Sequence, residues 1–153
     1  MEIFDATIKS LAKAGLMIIL NNHNSDAMWC CSEDDGNGLW HNANYTADQW
    51  NDALVNLAKK YKDEPMVIGN DLRNEIRKDY KEGFTPDWGS RNEVTDWRRA
   101  ARRTGDAILQ EDPLQLIIVE RLSFANIMTP IKYDPITLSV PNKLVYSFHF
   151  YSW

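Results

Sequence analysis

Apolar residues near the start of the chain recur at helical spacing. Ile3, Phe4, Ile8, Leu11 and Ala12 share one face of a predicted helix over Glu2–Ala14. Gly15 follows, and a glycine just past the last turn is a helix stop. The period then changes: Leu16 to Leu20 is an unbroken apolar run, the pattern of a strand buried on both faces. A polar stretch from Asn21 to Tyr45 reads as a loop. Thr46 is placed to cap a second helix over Ala47–Lys62, with Trp50, Leu54, Leu57, Ala58 and Tyr61 on its buried stripe. Asp63-Glu64-Pro65 ends it.

The alternation continues. Met66–Leu72 is a second strand, and a loop with Gly83, Pro86 and Gly89 leads to a third helix over Asn92–Gln110, with Val94, Trp97, Ala101 and Ile108 inward. Leu116–Glu120 is a third strand. About twenty residues containing Pro130, Pro135 and Pro141 show no helical pattern before a fourth strand at Leu144–Phe150. Strands separated by helices pair in parallel, so the fold class is α/β with a parallel sheet. Such sheets, open or closed into a barrel, carry their chemistry at the carboxyl ends of the strands.

Composition narrows the picture. The chain has 153 residues, 44% apolar and 25% charged, which suits one folded domain and excludes wholesale disorder. Seventeen basic against 22 acidic residues give a net charge of −5, which argues against nucleic acid as a partner. Arg98, Arg99, Arg102 and Arg103 on the third helix therefore read as a solvated face. No apolar run approaches the ~20 residues of a membrane span. Met1–Leu11 lacks a signal-peptide centre, but the sequon Asn44-Tyr45-Thr46 fits a secreted chain.

The polar residues gather at the strand ends. The first strand runs into Asn21-Asn22-His23, the second into Asn70-Asp71-Leu72-Arg73-Asn74-Glu75, the third ends at Glu120-Arg121, and the fourth leads to His149 and Tyr151. A carboxylic acid placed beside a glycosidic oxygen can protonate that poor leaving group, with imidazole, phenol and amide groups as supports. Glu75 beside Asn74 matches the acid, and His149 and Tyr151 match the support.

Val67-Ile68-Gly69-Asn70-Asp71-Leu72-Arg73-Asn74-Glu75 resembles the Asn-Glu signature of glycoside hydrolase family five, the cellulase family. The resemblance extends to Leu20-Asn21-Asn22-His23, to Trp29-Cys30-Cys31-Ser32-Glu33-Asp34-Asp35-Gly36-Asn37-Gly38 and to His149-Phe150-Tyr151. It implies a (β/α)₈ barrel of which this chain carries four strands, the third to the sixth. It implies hydrolysis of a β-linked glucan by a retaining mechanism, with Glu75 as acid/base, Asn74 touching the sugar 2-hydroxyl, and His149 and Tyr151 orienting the carboxylates. His23 lines a subsite, and no cofactor is required. The family's Pro after Asn-Glu is Ile76 here, and its nucleophile lies on a later strand than this chain reaches.

Other side chains have competing readings. Trp29, Trp40 and Trp153 are candidates for stacking on sugars, whereas Trp50 and Trp97 read as core. Glu120 can be a structural carboxylate or a substitute nucleophile. Cys30 and Cys31 can be two thiols, a disulfide between neighbours, or a link to another chain. Asp34-Asp35-Gly36-Asn37-Gly38 lacks the ligand spacing of a calcium loop. His23, Cys30, Cys31 and His41 are a zinc-type set, but adjacent cysteines suit a tetrahedron poorly, so no metal is expected. A half-barrel also exposes sheet edges and an inner face, which a homodimer could close; an inactive, saccharide-binding remnant is the other alternative.

Overall fold

The computed structural model describes residues 1–127 and 129–152. Four strands, β1 (Ile18–Asn21), β2 (Val67–Asp71), β3 (Leu116–Glu120) and β4 (Leu144–Ser147), form one parallel sheet in sequence order. Between them lie α2 (Ala47–Tyr61) and α3 (Trp97–Glu111), with α1 (Glu2–Lys13) ahead of β1. Consecutive parallel neighbours joined by helices are the topology of a barrel wall, since an open doubly wound sheet reverses its strand order.

Local chemistry explains the boundaries. Thr46 and Gln49 form a reciprocal capping box that starts α2. After α1, Gly15 sits at φ +76°, while its N–H bonds Ala12 O and that of Leu16 bonds Leu11 O, closing the helix end. The third helix begins five residues later than the periodicity predicts. Asp96 is its cap, and its carboxylate accepts from Gly89, Arg91 and Arg99 N–H groups. That carboxylate ties residues 89–95 into a turn, so Val94 is exposed rather than inward.

The segment after β3 is less irregular than expected, with short helical pieces at α4 (Leu122–Ala125) and α5 (Thr129–Tyr133). Ser123 and Phe124 have positive φ, so α4 is a single distorted turn. The strand expected at Leu144–Phe150 ends at Ser147, and His149 and Tyr151 lie beyond it.

The core sits on the helix side of the sheet. Ile117 and Val119 of β3 pack with Trp50 and Leu54 of α2 and with Trp97, Ala101 and Ile108 of α3. A second cluster joins Ile8 of α1 to Ile18, Leu20, Tyr61 and Val67. Burial on both faces of β1, as its apolar run suggested, does not hold. Ile18 and Leu20 are buried, but Ile19 is 50% exposed on the opposite, inner face. On that face Val145 of β4 is also exposed, because no strands lie across from it among the described residues.

The arginines of α3 are paired with acids: Arg98 with Asp134, Arg99 with Glu93, Arg102 with Asp106 and Arg103 with Asp48. The solvated face expected from sequence is thus also ion-paired.

Candidate active site

Side chains alternate along a strand, so register decides which polar groups meet. Asn21 pairs with Asp71, Asp71 with Ile118, and Glu120 with Ser147. Asn21, Asp71 and Glu120 therefore share the inner face at the carboxyl ends of three adjacent strands. Asn21 Nδ2 donates to Asp71 Oδ2 at 2.8 Å. Burial, then the neighbouring Glu120 charge, pushes the Asp71 carboxyl up to about 7.

Glu120 is 2% exposed and reaches upward to Glu75. Its Oε2 accepts the Glu75 N–H at 2.8 Å, and its Oε1 lies 3.3 Å from His149 Nε2. His149 Nδ1 is 2.7 Å from Glu75 Oε1. One imidazole thus bridges two carboxylates, and its protonated form can donate to both. Burial disfavours the imidazolium, but the Glu75 hydrogen bond and the Glu120, Glu75 and Asp71 charges outweigh it, so the His149 pKa is raised.

The Glu75 backbone is clamped in a costly conformation. Its φ of +49° lies in the left-handed region, which is strained by about 1–3 kcal/mol for a residue with a side chain. Glu120 holds the amide, Arg77 Nη1 donates to the carbonyl at 3.0 Å, and His149 holds the carboxylate. Three contacts fix the position and direction of this one acid.

The wall opposite is the loop after β1. Asp35 anchors it: both carboxylate oxygens accept from Arg77 Nη2, at 2.8 and 2.7 Å, in a buried ion pair. Asp35 is therefore a partner of Arg77, which is what the aspartate-glycine run builds. Gly38 lets the loop lie against the chain after β2, since a Cβ there would meet Arg77 O at 2.7 Å and Asp79 Cβ at 2.9 Å. Cys30 and Cys31 form a disulfide with each other. Of the three states open to them from sequence, this is the one observed.

A cleft of about 710 Å³ lies between these walls, lined by His23, Trp29, Cys30, Cys31, Asn74, Glu75, Phe124, Asn126, His149 and Tyr151. His23, Trp29, Asn74, Glu75, His149 and Tyr151, all singled out from sequence, meet here with Cys30 and Cys31 of the zinc-type set. Trp29 is 92% exposed, an open aromatic face at the mouth. Asn74 Nδ2 approaches Cys31 Sγ at 3.7 Å.

Trp40 does not belong to this rim. It is 1% exposed and stacked among Trp50, Trp97 and His41, so it is core and offers no face to a ligand. Trp153 lies outside the described residues. His41 is also elsewhere, with Nε2 on Val94 O, so it leaves the zinc-type set. Asp71 and Arg77 went unselected from sequence. Strand alternation could have found Asp71, because buried Leu72 turns its neighbour inward; nothing local marks Arg77.

The cellulase model of glycosyl hydrolase family 5 matches residues 1–153. The chain belongs to glycoside hydrolase family 5. An endoglucanase of Paenibacillus polymyxa is 34% identical over 98% of this chain and 38% of its own length. A glycosyl hydrolase 5 family protein of Chamaecyparis obtusa is 31% identical over 95% of this chain and 24% of its own. The catalytic domain of the major endoglucanase of Xanthomonas campestris superposes with a TM-score of 0.83 at 29% identity, covering 99% of this chain and 43% of that one. This family 5 chain therefore spans less than half the length of the relatives it matches, and its four strands are part of a (β/α)₈ barrel wall.

Proposed function

We propose that this family 5 chain carries the acid/base half of a cellulase-type site acting on a β-linked glucan. The observation that carries the reading is the convergence of His149 and Glu120 on Glu75 at the edge of an open cleft. A solvated surface carboxylate needs no such mounting. The His149 N–H occupies Oε1 of Glu75 and leaves the other oxygen to hand a proton to the glycosidic oxygen. After departure of the leaving group, the same carboxylate takes a proton from water.

Glu120 acts as a positioning residue. Both its oxygens face groups that orient Glu75, and at 2% exposure it does not reach an anomeric carbon. The nucleophile of the retaining pair then comes from barrel strands beyond these four. Trp29 supplies the stacking face and Asn74 a hydroxyl contact, with His23 and Tyr151 at the two sides of the cleft. An endocellulase of Pyrococcus horikoshii solved with cellotetraose matches 97% of this chain at 28% identity and a TM-score of 0.81, which supports a glucan chain as ligand. A relative named as the major extracellular endoglucanase of Xanthomonas campestris, 33% identical over 80% of this chain, supports action outside the cell. No helix among the described residues is long and apolar enough to cross a membrane.

The exposed Ile19 and Val145, with β1 and β4 each paired on one side only, favour a second reading for the isolated chain, in which two copies close each other's sheet. Light scattering distinguishes the two readings. Cellotetraose titration, followed by tryptophan fluorescence, tests the first. Saturable binding that Trp29→Ala weakens at least about tenfold is expected, about the worth of one aromatic contact. Unchanged binding in Trp29→Ala, or none by the folded protein, contradicts it.

A further inference from the structure

We propose that reduction of the Cys30–Cys31 disulfide turns the wall of the cleft into a binding site for a thiophilic divalent cation, with Cys30, Cys31 and His23 as ligands. This goes beyond the glycosidase reading and does not depend on it. The three side chains already place one ligand atom each within 4.8 Å of one another. His23 Nε2 lies 3.5 Å from Cys30 Sγ. Zinc bond lengths of about 2.0–2.1 Å to nitrogen and 2.3 Å to sulfur give a tetrahedral N···S edge of about 3.6 Å. One edge of the coordination polyhedron is therefore in place before any metal arrives. Two edges remain, between the two sulfurs and between Cys31 Sγ and His23 Nε2; all three atoms already lie within 4.8 Å of one another, and opening the disulfide frees the sulfurs to separate.

The histidine is oriented for ligation. Asn21 Nδ2 donates to Asp71, which turns Asn21 Oδ1 toward His23 Nδ1 at 3.2 Å. An oxygen at that position accepts the Nδ1 proton, so the lone pair is left on Nε2, facing the sulfur. Metal-bound histidines are held in this way by an acceptor on the far ring nitrogen. The fourth position opens to the cleft, where water completes a three-ligand site. The pair of soft sulfurs selects zinc, cadmium or cobalt(II) over magnesium or calcium.

The steps balance. Two electrons and two protons convert the disulfide to two thiols; with a water-soluble phosphine as reductant, phosphorus is oxidised to phosphine oxide and takes its oxygen from water. Metal binding then releases one proton from each thiol to solvent, while His23 binds as the neutral ring. In the oxidised protein the sulfurs are bonded to each other and the site does not exist.

The test is a cobalt(II) titration of the chain, oxidised and phosphine-reduced under anaerobic conditions, read by sulfur-to-cobalt charge-transfer absorption. The reduced chain is expected to take up one equivalent with that absorption, zinc should displace it, and the oxidised chain should show none. His23→Ala should weaken binding by at least about tenfold, the smaller end of what even supporting residues cost a metal site. Cys30→Ser/Cys31→Ser should abolish it. No charge-transfer band in the reduced chain, an equal band in the oxidised chain, saturation at half an equivalent, or unchanged affinity in His23→Ala overturns the proposal. So does loss of helical circular dichroism on reduction, since the site would then not be built by the fold. The oxidised and reduced arms use one polypeptide, so a misfolded variant cannot decide the outcome.

Discussion

Arg77→Met tests how the cleft is held together. Arg77 is 1% exposed, and its guanidinium hydrogen-bonds three groups: the Asp35 carboxylate, the Ser32 carbonyl at 2.9 Å and the Glu75 carbonyl at 3.0 Å. It therefore ties the loop carrying Cys30 and Cys31 to the backbone of Glu75. Removing one partner of a buried ion pair costs about 3–5 kcal/mol, because the other charge is left without compensation. Asp35 would keep the Ser32 and Asn37 N–H donors at 3.1 and 2.8 Å, which places the loss near the lower end, at about 3 kcal/mol. With a urea m-value of about 2 kcal/mol/M, the midpoint of unfolding falls by about 1.5 M. Tryptophan fluorescence reads this directly, since Trp40, Trp50 and Trp97 stack in the core. Asp35→Asn/Arg77→Met should cost less than the two single changes together, by about 2 kcal/mol, as partners in contact are not additive. A loss under about 1 kcal/mol in Arg77→Met, or strict additivity, refutes the role given to this pair.

Stability should fall between pH 5 and pH 8. Asp71 has a raised folded pKa, so its contribution is fully present below its unfolded value and is lost as pH rises toward about 7. His149 is also raised, so its contribution is lost as pH climbs from its unfolded value through the folded one. Thermal melts across this range should show a declining midpoint that flattens in Asp71→Asn; a midpoint that rises with pH contradicts the network. Glu120→Gln should lower the His149 pKa, read by NMR titration of the ring, and an unchanged value shows that the two do not interact. Gly38→Ala should destabilise by about 1–3 kcal/mol, because its Cβ would meet backbone of Arg77 that cannot swing away, and urea unfolding measures it.

Much of the architecture was legible because period and caps agree. The Leu116–Glu120 strand and the start of α2 at Thr46 match the structure residue for residue. Errors fell where distant groups decide. The start of α3 depends on Asp96 binding the Gly89 and Arg91 amides, which periodicity does not see. Both-face burial of β1 presumed strands across the barrel from Ile19. Trp40 was misplaced because an aromatic in a polar loop looks like a ligand platform, whereas the chain folds that loop down onto Trp50 and Trp97. The cleft residues His23, Asn74, Glu75 and His149 were legible as strand-end groups. The interior support from Asp71, Glu120 and Arg77 needed the register and the tertiary contacts.

The central claim is that Glu75 is the acid/base, and rescue by azide tests it most directly. In the intact barrel carrying this chain, Glu75→Ala should slow hydrolysis of an unactivated β-glucan by about 10²–10⁴-fold, the range expected for a lost general acid. On an aryl β-cellobioside with a good leaving group, added azide should restore turnover and yield β-cellobiosyl azide, because a small nucleophile needs no base. Undiminished hydrolysis by Glu75→Ala, or a deficit that azide leaves unchanged with no azide product, contradicts the account.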